Sequence, residues 1–184
     1  QPVVDTSPVP LLVQTVDGLS PGVVIGLLHC DRDQTGSRYA PVTSLELDSA
    51  PVDAWLLGHV HKPDFGPGRA AGRASRSRYA GYLGAISPAD PGEEGAYGAW
   101  LLQIDRSTEE PITVRRLPLA ALRYETVSID VGGLTTSGEL GVAMTTAVTD
   151  LAEELGATST DLPLRAVGVR LRLVGRSPIR AELA

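Results

Sequence analysis

At 184 residues, 42% of them hydrophobic and 21% charged, the chain has the size and composition of a globular protein of one domain, or of one and a part. A net charge of −6 argues against a uniformly basic nucleic-acid-binding surface, although a local basic patch or metal-mediated phosphate contact stays open. The single cysteine, Cys30, rules out an intrachain disulfide, and no apolar run approaches the ~20 residues of a membrane span.

Residues 1–22 are rich in Pro and Val and carry two turn signals, Asp17-Gly18 and Pro21-Gly22. The continuous apolar run Val23 to Leu28 reads as a buried strand, ending at His29-Cys30-Asp31. Asp31 and Asp33 follow in a polar loop, either as outer partners of a metal-bound imidazole or as solvated acids. Residues 42–47 read as a short helix. A second buried strand, Asp53 to Leu57, ends in Gly58-His59-Val60-His61. All three histidines of the chain therefore stand just past buried strands. Neutral imidazole is a common metal ligand, but a histidine at a strand end is also often hydrogen-bonded structure. In a regular strand, residues i and i+2 point the same way. In a tight loop after Gly58 the pair could instead diverge toward different ions.

Residues 66–78 hold four arginines, Arg69, Arg73, Arg76 and Arg78, and no acid. They are candidates for backbone contacts to nucleic acid, which add affinity without reading sequence; a solvated Gly/Ala/Ser-rich loop is the other reading. Strands are expected over 97–104 and 112–117, joined as a hairpin. From residue 122 the pattern changes. Residues 125–131 alternate as a half-buried strand, and Gly132-Gly133 breaks them. Thr136 and Glu139 have the spacing of a capping box. Leu140, Met144, Ala147, Val148, Leu151 and Leu155 fall on one helical face, read as core, and Gly156 is expected to end the helix. In a final strand Val167, Val169, Leu171 and Leu173 face one way, and Arg170 and Arg172 the other, toward solvent or phosphate. Strand, helix and strand read as a small α+β module. The chain starts at Gln1 and its only methionine is Met144, so it is expected to be a fragment.

The segment Tyr39-Ala40-Pro41, followed by Asp53-Ala54-Trp55-Leu56-Leu57-Gly58-His59-Val60-His61-Lys62-Pro63, resembles the last signature of calcineurin-like metallophosphoesterases. It is most similar to the SbcD-type DNA repair exonucleases and their YhaO-like relatives. Leu27-Leu28-His29 resembles the strand ending in the preceding metal-binding histidine. Tyr79-Ala80-Gly81, with Glu94-Gly95 and Gly98 to Leu102, resembles the Tyr-Pro-Gly loop and following strand, with Ala80 in place of proline. Residues 169–176 resemble a capping-domain strand. The resemblance implies an α+β chain: residues 1–120 as the C-terminal half of a four-layer α/β/β/α metallophosphoesterase sandwich, and 121–184 as a capping domain. It implies two divalent metal ions, with manganese suited to a mixed His/carboxylate/Asn site, His29 and His59 on one ion and His61 on the other. It further implies phosphodiester hydrolysis by metal-activated water in DNA repair, a cytoplasmic setting, a homodimeric parent protein, and two partners, DNA and an SMC-like ATPase of the SbcC type. The family's Asp-x-His, Gly-Asp-x-x-Asp and Gly-Asn-His-Asp/Glu motifs are absent from these residues, so the chain by itself is expected to bind metal weakly and to be inactive. The alternatives are a non-catalytic module, binding DNA or a partner and carrying vestigial histidines, and a small-substrate phosphoesterase of the same superfamily.

Overall fold

A computed structural model describes residues 4–16, 22–67, 79–158 and 164–178. The protein is mixed α+β. In chain order the elements are α1 (Val9–Val16), β1 (Ile25–His29), β2 (Asp31–Arg32), β3 (Pro41–Val42), α2 (Ser44–Ser49), β4 (Ala54–Gly58), β5 (Gly66–Pro67), β6 (Tyr79–Tyr82), β7 (Gly98–Ile104), β8 (Ile112–Pro118), β9 (Leu122–Asp130), α3 (Ser137–Thr158) and β10 (Ala166–Val174). They form two compact units. One comprises Gln1–Ile86 and Gly98–Leu117, the other Ser87–Tyr97 and Pro118–Ala184. Among the described residues no helix is long and apolar enough to cross a membrane.

The first unit is built on a sheet of order β1-β4-β6-β5. β1, β4 and β6 run parallel, and β5 runs antiparallel to β6. Parallel strands need an intervening crossover, here β2, β3 and α2 between β1 and β4. Helix α2 starts on a capping box: Thr43 Oγ1 accepts from Glu46 N, and Glu46 Oε2 accepts from Thr43 N. Trp55 and Leu57 of β4, Leu47 of α2, Val9 of α1 and Tyr82 of β6 share one buried cluster. Trp55 closes it in two ways. Its Nε1 donates to Leu47 O at 3.0 Å, satisfying one of the carbonyls that a helix end leaves without a partner. Its ring lies over Gly26, where a Cβ would come within 2.3 Å of Trp55 Cε3. Gly26→Ala is therefore expected to cost ~1–3 kcal/mol of stability through overpacking. The check is a lower guanidinium midpoint at unchanged slope.

Strands β7 and β8 pair as the hairpin expected from the sequence, and Asp105 N donates to Pro111 O across its loop. Trp100 of β7 stacks edge-on against Phe65 at 5.1 Å, and its Nε1 donates to Leu83 O.

In the second unit β9 and β10 are parallel neighbours in register along all nine residues of each strand, with α3 as the crossover. The capping box at Thr136 and Glu139 is present in both directions. Leu140, Ala143, Met144 and Ala147 pack on Ile129, Val131 and Leu171, so the helical stripe is core, as its spacing predicts. Val148 departs from that stripe and is exposed, and the helix runs past Gly156 to Thr158. Arg172 turns to the opposite side and donates to Ser128 Oγ.

Candidate metal centre

The parallel register of β1 and β4 sets His29 opposite Gly58. The two strand ends thereby bring together histidines 30 positions apart in sequence. His29 Nε2 lies 3.2 Å from His59 Nδ1, and the rings meet edge to face. Gly58 makes room for this, since a Cβ there would stand 3.0 Å from His29 Nδ1. His59 adopts φ = 109°, a left-handed conformation that costs a non-glycine residue roughly 1–3 kcal/mol and is held only where its surroundings over-determine it.

Those surroundings come from the loop after β1. Asp31 Oδ1 lies 3.0 Å from His59 Nε2. A carboxylate only accepts, so Nε2 carries the proton and the lone pair of a neutral His59 is on Nδ1, facing His29. The other Asp31 oxygen accepts from Ser37 Oγ, and Tyr39 N donates to that same hydroxyl oxygen. Tyr39 stacks on the His59 ring at 5.3 Å. Asp33, the other loop acid, faces elsewhere and accepts from Ser44 N and Oγ. Burial acts to raise its carboxyl, but those bonds and the nearby Arg32 charge outweigh it and leave Asp33 below the usual carboxylate range.

His59 also lines an open cleft of about 550 Å³ with Asp31, Arg32, Lys62, Asp64 and Tyr82. The cleft wall is a tied network. Tyr82 Oη accepts from Arg32 N at 2.6 Å and donates to Cys30 O, while Tyr82 N donates to Asp64 Oδ1. The Arg32 guanidinium pairs with Asp64 and lies over the Tyr82 ring. Cys30, fully buried behind this wall, has its thiol pushed up to about 11, chiefly by burial, with Arg32 opposing and Asp31 adding to the rise. It is expected to resist iodoacetamide in the native protein and to react stoichiometrically once guanidinium unfolds the chain, as followed by mass.

Of the residues expected to bind metal, His29 and His59 stand together. His61 is exposed two positions further on, and its main-chain oxygen accepts from Ala85 N. Among the described residues no three His, Cys, Asp or Glu side chains form a ligand set for one ion. With the His59 proton on Nε2, the 3.2 Å contact is a hydrogen bond from His29 Nε2 to His59 Nδ1, and the same spacing lies within the ~3.0–3.4 Å that two imidazole nitrogens would have on one divalent ion at ~2.1 Å. The bond from His59 Nε2 to Asp31 is the outer support that metal-binding histidines usually carry. Ser37, Tyr39 and the Arg32–Asp64–Tyr82 network had no reading as site residues in the sequence; Tyr39 had a signal only as part of Tyr-Ala-Pro. Arg69, Arg73, Arg76 and Arg78 lie outside the described residues.

No protein-family model matches the chain, and no curated protein matches it.

Proposed function

We propose that these residues carry the histidine share of a two-metal phosphodiesterase site of the SbcD-type nuclease kind, whose carboxylate share lies outside the sequence described. The observation that carries this reading is the His29–His59 pair with Asp31 behind it. His29 and His59 would hold one ion and His61 contribute to the second, manganese being the metal suited to the full donor set. When bound, such ions supply a water acidified toward a pKa of ~7 and neutralise charge on the phosphodiester oxygens.

The chain's own contribution is positioning. Asp31 holds the His59 tautomer, Ser37 occupies the second carboxylate oxygen, and Lys62 brings positive charge to the cleft, where Arg32 is already paired with Asp64. On this reading the β1-β4-β6-β5 sheet, with α1 and α2 in its core cluster, is part of an α/β/β/α sandwich, and the β9-α3-β10 unit is its capping domain. The substrate is DNA. The parent protein is a cytoplasmic homodimer working with an SMC-like ATPase of the SbcC type.

The test is manganese binding and manganese-dependent hydrolysis of bis(p-nitrophenyl) phosphate and linear DNA by the purified chain and by His59→Ala. Weak binding that His59→Ala removes, without turnover, is the expected result. Turnover lost in His59→Ala would mean that a second subunit or unassigned residues complete the site. Binding unchanged in His59→Ala would overturn the reading. It would leave the second one, a non-catalytic DNA- or partner-binding module with vestigial histidines.

A further inference from the structure

Tyr39 is the feature of this site that burial does not explain. Its side chain is 45% exposed, so it adds little to the core, yet its ring is stacked on His59 at an interplanar angle of 29°. The backbone around it is committed to that placement. Tyr39 O accepts from Asp31 N at 2.9 Å, Tyr39 N donates to Ser37 Oγ, and Ala40 takes a left-handed φ of 48° immediately before β3 pairs with β2. A left-handed alanine costs ~1 kcal/mol or more. One loop thus delivers both a carboxylate to the edge of the His59 ring and an aromatic plane to its face.

The two contacts do different work. A single hydrogen bond at Nε2 fixes which nitrogen is protonated but lets the ring swivel about that bond. A plane against the face removes the swivel. With His59 on a strained backbone, the swivel would otherwise carry Nδ1 away from His29 Nε2.

We propose that Tyr39 is a positioning residue for His59, fixing the imidazole plane so that its Nδ1 lone pair faces His29. The inference rests on the metal reading above for its purpose, but its geometric content can be tested without metal. The aromatic face, and not the phenol hydroxyl, is what matters, so Tyr39→Phe retains the function and Tyr39→Ala and Tyr39→Leu lose it. An aromatic or aliphatic replacement at a half-exposed position leaves the fold intact, which a thermal melt of each variant checks.

The experiment has two readouts on the full chain. The first is the set of nuclear Overhauser contacts between the His29 and His59 ring protons in the metal-free protein, at a pH where both imidazoles are neutral. The wild type and Tyr39→Phe are expected to show the ring-to-ring contact that the edge-to-face packing of His29 and His59 implies, and Tyr39→Ala and Tyr39→Leu to lose it. The second is manganese affinity from the free-ion paramagnetic resonance signal, expected to fall about tenfold in Tyr39→Ala and Tyr39→Leu and to be kept in Tyr39→Phe. Ring contacts and manganese affinity unchanged from the wild type in both non-aromatic variants would overturn the proposal. If the wild type takes up no more manganese than His59→Ala does, the metal reading fails, and the ring contacts still decide the role of Tyr39.

Discussion

Replacing His59 by alanine is expected to remove the manganese affinity of the chain, by two orders of magnitude or more, while leaving it folded. The basis is geometric. His59 supplies one of the two imidazole nitrogens that meet at 3.2 Å. A single imidazole left at His29 binds a divalent ion no better than an exposed surface histidine. Asp31→Asn tests the support and is expected to weaken affinity by about 10–100-fold, because an amide can present its N–H to Nε2 and reverse the tautomer. His59→Gly gives the complementary result. Glycine takes φ = 109° without strain, so this variant relieves roughly 1–3 kcal/mol of backbone cost, partly offset by the greater freedom of glycine in the unfolded chain. His59→Gly is therefore expected to melt at or above His59→Ala with metal affinity equally lost. Calorimetric melts of the two proteins side by side check the strain separately from the chemistry. A His59→Gly protein that melts below His59→Ala would mean that the left-handed backbone stores nothing beyond the entropic cost of glycine.

Trp55→Ala is expected to destabilise the first unit by ~3–5 kcal/mol, a large part of the ~5–15 kcal/mol that holds a typical domain together. Trp55 is 1% exposed and sits at the centre of the cluster that joins β4 to α1, α2 and β6. Three losses add. The ring leaves a cavity, Gly26 loses the surface that covers it, and Leu47 O loses its donor at the end of α2. Trp55→Phe separates them. It keeps much of the volume and removes the N–H, so its cost reports mainly the unpaired carbonyl, about 1–3 kcal/mol. Urea unfolding followed by far-ultraviolet circular dichroism checks both. Since β4 carries His59 at its end, Trp55→Ala is also expected to loosen the site, and manganese affinity should fall along with stability. A Trp55→Ala midpoint within experimental error of the wild type would refute the assignment of Trp55 as the keystone of this core.

The features legible in the sequence are those whose signals are local. The apolar runs ending at His29 and Gly58 are strands, as their length between turn residues predicts; β4 is buried as expected, but β1, read as a buried strand, is not, because it stands at the edge of the sheet, where none of its residues is buried and Leu27 is 72% exposed. The helix opening at Ser137 follows from the three-residue spacing of Thr136 and Glu139, and the burial of Leu140 and Met144 follows from helical period. Helix α1 escaped because its sequence, VPLLVQTV, is half valine and proline, with weak intrinsic helix propensity; it is set by packing, with Val9 buried and Leu12 and Val13 against the cluster. No local signal distinguishes Asp31 from Asp33. Both are loop acids two positions apart, and only the fold sends one to His59 and the other to the start of α2. Sequence determined that three histidines stand at strand ends. The strand register, pairing His29 with Gly58, decided that two of them meet. The loop after β1 decided that a carboxylate and a tyrosine hold one of them in place. Register and loop path are set by non-local burial, which no period of 2 or 3.6 residues can carry.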